Sequence, residues 1–73
     1  MATFEPRVRR QIAGRLEELG GNPRPHDSSR LKGFANAYRV DIGEYRILYD
    51  IDYDAKLITV WKIGHRKDVY RNL

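Results

Sequence analysis

A Tyr-Arg pair occurs twice in the stretch YRVDIGEYRILYDID, as Tyr38-Arg39 and Tyr45-Arg46. A guanidinium is a planar fork of donors that stays charged in proteins and matches a phosphate or carboxylate with two bonds at once. Two of them on one surface make a seat for an anion, whereas on opposite surfaces they are separate solvated charges. Their odd spacing would put them on opposite faces of one straight strand. Gly43-Glu44 changes that outcome. It is a Gly-X pair of the kind that closes a two-residue type II′ hairpin. Such a turn sets Ile42 opposite Tyr45, Asp41 opposite Arg46, Val40 opposite Ile47 and Arg39 opposite Leu48, and directly opposed residues share a face. Arg39, Asp41, Arg46 and Leu48 then fall on one side of the sheet. Val40, Ile42, Ile47, Tyr49 and Ile51 fall on the other.

A second turn over residues 53–56 leads into a third strand over 57–63, rich in β-branched residues. Pairing Asp52 with Leu57 in regular register puts Asp50 opposite Thr59, Leu48 opposite Trp61 and Arg46 opposite Ile63. The arginine face gains Thr59 and Trp61, and the apolar face gains Ile58 and Val60. The arginine face is too charged to be a core, yet it holds a tryptophan. A cationic sheet face with an aromatic can bind phosphates and stacked bases. The same residues also fit a plainer arrangement, with Asp41 and Arg46 as a cross-strand ion pair and Trp61 covered by a connector.

The apolar face needs a cover, and residues 3–19 supply it. Val8, Ile12, Leu16 and Leu19 form one stripe at helical spacing. Thr3 is placed to cap this helix, Pro6 sits in its first turn, and Gly20-Gly21 stops it. Arg9, Arg10 and Arg15 fall off the stripe and read as a solvated face. Residues 22–30 are a connector with two prolines, and Leu31-Lys32-Gly33-Phe34 begins an ordered turn into the sheet. The expected fold is α+β: about three antiparallel strands packed on an N-terminal helix, one domain over residues 1–73.

With 73 residues the chain has room for one small core and marginal stability. It has no cysteine, which excludes disulfides and thiolate metal sites. Fourteen Lys and Arg against ten Asp and Glu give a net charge of +4 and a pI near 9.7, a balance that favours an anionic partner. No apolar run is long enough to span a membrane and no signal-peptide pattern opens the chain, so a cytoplasmic location without membrane contact is expected.

The segments LKGFANAYRVDIGEYRILYDID and ITVWKIGHRKDVYR resemble the RelE/ParE superfamily of toxins from bacterial and archaeal toxin–antitoxin pairs. The resemblance spans about residues 8–71 and is strongest over 31–70. It implies a RelE-like fold with helices on one sheet face and active groups on the other. It also implies an endoribonuclease that cuts mRNA on the ribosome, needs no metal or cofactor, and is neutralised by an antitoxin. In such cleavage the RNA's own 2′-hydroxyl attacks the neighbouring phosphate. That requires a proton acceptor, a proton donor and positive charge on the phosphorane.

Carried over by motif, the resemblance makes Arg39 a base or phosphate contact, Arg46 a phosphate clamp, Arg66 a further cation and Tyr70 a stacking or proton-transferring group. Arginine is a poor base, so His65, which titrates near neutrality, is the candidate acceptor. Its alternative is a hydrogen-bonded turn histidine. Lys32, Trp61 and Lys67 complete the expected RNA contacts. Two features depart from the pattern. Asp41 stands where some RelE toxins carry a second lysine, and a carboxylate beside Arg46 should weaken phosphate binding or else serve as the base. Only Met1-Ala2 precede the assigned helix, so the chain resembles a member lacking its first strand. An open sheet edge is then expected to pair with a second copy or with an antitoxin segment. The alternatives are a ParE-like inhibitor of DNA gyrase that cuts nothing, and a shortened, inactive member that keeps its antitoxin-binding or oligomerisation surface.

Overall fold

The structure, a computed structural model, describes residues 4–71. The order of elements is α1 (Pro6–Gly21), β1 (Ser29–Arg30), β2 (Ala37–Ile42), β3 (Tyr45–Asp52) and β4 (Leu57–His65). The strands form one antiparallel sheet in the order β1-β2-β3-β4. The architecture is the expected α+β arrangement, with a fourth strand. Ser29 pairs with Arg39 and Arg30 with Tyr38. Two exposed polar residues carry no alternation, which is why the sequence places them in the connector. What precedes residue 4, including the expected cap at Thr3, lies outside the described residues.

The helix begins at Pro6, with Glu5 extended at the N-cap position and no side-chain cap. Proline suits this position because its missing N–H would have no helical partner. The helix does not stop before Gly20. It runs through both glycines, neither of which takes a positive φ, and ends where Asn22 turns extended and donates its N–H to the Glu18 carbonyl at 2.8 Å. Pro23 accounts for that end point, since the residue before a proline is pushed out of the helical region. No helix among the described residues is long and apolar enough to cross a membrane.

Gly43 has φ +56° and Glu44 does not share a positive φ, which matches a type II′ turn. The β2–β3 register follows, with Ile42 opposite Tyr45, Asp41 opposite Arg46, Val40 opposite Ile47 and Arg39 opposite Leu48. The β3–β4 pairing starts as expected, from Asp52 opposite Leu57 to Tyr49 opposite Val60. A bulge then intervenes, and Leu48 faces Lys62, Ile47 faces Ile63 and Arg46 faces Gly64. The expected pairs Leu48–Trp61 and Arg46–Ile63 are therefore corrected. Regular register would have left Lys62 on the apolar face and Ile63 among the charges. The extra residue at Trp61 reverses the alternation and puts both on suitable sides.

Val8, Ile12, Leu19, Tyr38, Val40, Ile47, Tyr49 and Ile51 are buried between helix and sheet, with Phe4, Leu16, Ile42, Tyr45, Ile58 and Ile63 half-buried around them. Val60 was expected in this core but is 36% exposed. The helix meets the sheet chiefly at β2, so its cover does not extend over all of β4. The Tyr49 hydroxyl donates to the Pro23 carbonyl at 2.7 Å, tying the centre of the sheet to the connector. Arg15 is not merely solvated. It is paired with Glu18 in its own helix and with Asp27 in the connector.

Ile47 is fully buried at the middle of this core, so Ile47→Ala should cost about 2–5 kcal/mol and lower the thermal midpoint sharply. Asp27 tests the tie between helix and connector. Its hydrogen bond to Arg15 holds its carboxyl below the ordinary range, so it contributes stability above its unfolded pKa that is lost as pH falls through the lower, folded value. Asp27 is largely exposed, so the contribution is small. Asp27→Asn should lower the melting temperature slightly at pH 7. The difference should close on acidification below the usual carboxylate range, as measured by melting curves across pH.

Candidate functional site

Away from the helix, Arg39, Asp41 and Arg46 stand together at the β2–β3 hairpin. The Asp41 carboxylate accepts a hydrogen bond from Arg46 Nε at 2.8 Å and lies 3.5 Å from the Arg39 guanidinium. Arg46 also donates to the Tyr70 hydroxyl at 3.1 Å, with its guanidinium carbon 5.6 Å from the centre of the Tyr70 ring. Burial disfavours the Arg46 cation, but its bonds to Asp41 and Tyr70 outweigh that and hold its pKa above even the usual arginine value. The charge is permanent, which suits an electrostatic role and excludes proton transfer by this group.

Tyr70 reaches this position because the chain turns back after β4. Val69 N–H donates to the His65 carbonyl at 2.9 Å and Arg66 N–H to the Glu44 carbonyl at 2.8 Å. The turn is anchored by Val69, which is fully buried and lies 3.9 Å from where a Gly64 side chain would begin. Gly64 sits opposite Arg46, so Val69 packs beside the arginine. Leu48 and Ala37 share the arginine face by register and are also fully buried, outside the helix-side cluster. Lys62, carried to this face by the bulge, donates its ammonium to the Arg71 carbonyl and holds the turn down. The expectation that this face is too charged for a core is therefore corrected: Ala37, Leu48 and Val69 are buried outside the helix-side cluster.

The other predicted residues spread around this centre. Trp61 is half-buried against Phe34, with ring centres 5.7 Å apart, so what packs on it is the turn into the sheet rather than the connector of the plainer reading. Lys32, in the turn before Phe34, and Lys67 are exposed. Arg66 is exposed too, and the ion pairs among the described residues take in Arg39 and Arg46 but not Arg66. His65 is separated from the pair. It faces Tyr45 in register, its ring meets the Tyr45 ring edge-on at 5.8 Å, and Tyr45 in turn packs against Phe4 on the helix side. Its Nδ1 accepts the Lys67 N–H at 3.1 Å and its Nε2 lies 3.6 Å from the Glu44 carboxylate. The bulge is the cause, because it moves Gly64 onto the arginine face and His65 off it.

Sequence reasoning missed Lys62 and Val69 as parts of the site. The signal for Lys62 was available, since a lysine at an apolar-face position argues against regular register. Val69 lies in a charged tail with no periodicity to place it. Among the described residues, no group of three or more His, Asp or Glu is disposed to hold a metal ion.

Comparison with known proteins bears on the family and the fold. The candidate toxin RelE1 of Methanocaldococcus jannaschii is 40% identical over 60 residues, 78% of this chain and 67% of that protein. The crystal structure of the RelB–RelE antitoxin–toxin complex from Methanococcus jannaschii superposes with a TM-score of 0.71 at 26% identity, covering 92% of this chain and 80% of the matched one. The family model described as the ParE toxin of the type II toxin–antitoxin system parDE matches residues 2–70. The chain belongs to this family of toxins, within the RelE/ParE superfamily.

Proposed function

We propose that this toxin is an mRNA endonuclease acting on the ribosome without a metal, and that an antitoxin neutralises it. The observation that carries the reading is the convergence of Arg39 and Arg46 on one sheet face with the Tyr70 hydroxyl 3.1 Å from Arg46. In the proposed reaction the 2′-hydroxyl of one nucleotide attacks the adjacent phosphorus and the 5′-oxygen of the next nucleotide leaves. Arg46 and Arg39 bind the non-bridging oxygens and stabilise the charge that grows on the phosphorane. The Tyr70 hydroxyl accepts from Arg46 and keeps its own proton free to donate to the leaving 5′-oxygen, while the proton of the 2′-hydroxyl passes to solvent water. Arg66 adds a cation at the edge of the site, and Lys32 and Lys67 contact the RNA backbone. His65, on the helix side, has no direct part in this arrangement.

The antitoxin reading rests on the family and on β4. Among the described residues no strand pairs with its outer edge, and Leu57 and Val60 stand exposed there. Such an edge offers unpaired backbone groups to an added strand. Alone at micromolar concentration the protein should sediment as more than a monomer. A well-protected monomer by hydrogen exchange would remove this part of the reading.

Arg46→Ala and Arg66→Ala should each cut mRNA cleavage by at least about a hundredfold, the usual scale for losing a charge-stabilising donor, and should abolish growth arrest with the fold retained. Primer extension on mRNA in a translating extract reads the cleavage. Full toxicity in both variants would rule the mechanism out. A second reading, inhibition of DNA gyrase without cleavage, is favoured by the ParE description of the matching family model. Gyrase inhibition with intact mRNA would establish it instead.

A further inference from the structure

Both arginines of the site converge on the same oxygen. Asp41 Oδ1 is 2.8 Å from Arg46 Nε and 3.5 Å from an Arg39 terminal nitrogen. One anionic oxygen held between two guanidiniums is the arrangement that a phosphate oxygen takes in an arginine clamp. Here the protein supplies the anion itself. Asp41 lies two residues before the Gly43 turn, with its side chain 52% exposed, whereas that of Arg46 is only 22% exposed. The carboxylate can swing into solvent by side-chain rotation while the arginine stays fixed under Tyr70 and beside Val69.

We infer that Asp41 is an internal competitor for the phosphate seat, a residue that sets which phosphates the site accepts. This rests on the reading of Arg39 and Arg46 as a phosphate clamp. The charge balance gives the consequence. A phosphodiester carries one negative charge, the same as the carboxylate, so replacing Asp41 by an RNA phosphate leaves the charge of the seat unchanged. An isolated phosphodiester therefore gains little by entering. An RNA gains by entering only when it makes further contacts at the same time, for which the cation Arg66 and the exposed Lys32 and Lys67 are available. Asp41 acts as a threshold against lone phosphates and short free RNA. It favours a strand held at several points, and it acts through the arginines rather than on the reacting atoms.

The test uses a short, fluorescently labelled 2′-O-methyl RNA, which has no free 2′-hydroxyl and cannot be cleaved. Its binding is followed by anisotropy over a range of salt. Asp41→Asn should tighten binding at low salt roughly three- to thirtyfold, the scale of releasing two partly exposed ion pairs. It should also steepen the dependence of log K on log salt by about 0.7 for each added phosphate contact. Adding Arg46→Ala to Asp41→Asn should remove the gain. Asp41→Ser is a second route to the same release, and both variants are checked by thermal melting. Unchanged or weaker binding in both Asp41 variants, or a gain that survives loss of Arg46, overturns the inference. The binding assay needs no catalysis. A protein that cuts no mRNA, yet binds RNA more tightly without Asp41 and through Arg46, sinks the nuclease reading and keeps this one. Intact mRNA cleavage with no effect of Asp41 on binding does the reverse.

Discussion

The arginine pair exists because one peptide unit turns left. Gly43 takes φ +56° at the first central position of a two-residue turn, a conformation that costs other residues a strained backbone. No atom crowds its missing side chain, so the requirement is conformational rather than one of space. That turn fixes the register, and the register fixes faces, because a slip of one residue would send every side chain of a strand to the other side. With Ile42 opposite Tyr45, Val40, Ile47 and Tyr49 all point to the helix, while Arg39, Asp41 and Arg46 all point away. Core and site are thus set by the same choice.

The bulge at the start of the second half of β4 is the next constraint. It lets one strand serve two patterns: Ile58 before it and Ile63 after it both pack toward the helix, although their odd separation would split them in a regular strand. It also puts Gly64 under Val69 and opposite Arg46. An added methyl group would meet Val69 only at ordinary van der Waals distance, 3.9 Å, so it is the burial of Val69 that closes the turn over the sheet and brings Tyr70 to Arg46. Lys62 fastens that turn from the same face.

Much of this was legible in the sequence. The two faces of the hairpin, the grouping of Arg39 with Asp41 and Arg46, and the helix stripe follow from period and from one Gly-X turn, which are local properties. The bulge was only half legible. The lysine at an apolar position and the isoleucine at a polar one were both visible, but regular register was the default. The bulge also sets His65 opposite Tyr45, away from the arginines. The burial of Val69 was not legible at all. Val69 lies among Lys67, Asp68, Tyr70 and Arg71, and only the tertiary path of the chain shows that it is covered. Strand β1 escaped because two residues cannot show a period.

The buried Val69 of the C-terminal turn is what lets so small a sheet hold charged groups in fixed geometry. A guanidinium on an open strand would sample many rotamers, and an ion pair in water does little to restrain it. Arg46 is instead held by Asp41 across the hairpin and by the Tyr70 ring and hydroxyl, and Val69 packs at Gly64, the cross-strand partner of Arg46. Burial of Val69 holds the turn, the turn holds Tyr70, and Tyr70 holds the arginine. The order of dependence runs from apolar packing to charge, which is the direction that works in water, since the hydrophobic contribution survives salt and the electrostatic one is screened. Arg39 is nearly as covered, its side chain 29% exposed against 22% for Arg46, but its ion pair to Asp41 is the longer contact at 3.5 Å, so Arg46 is the more firmly held of the two.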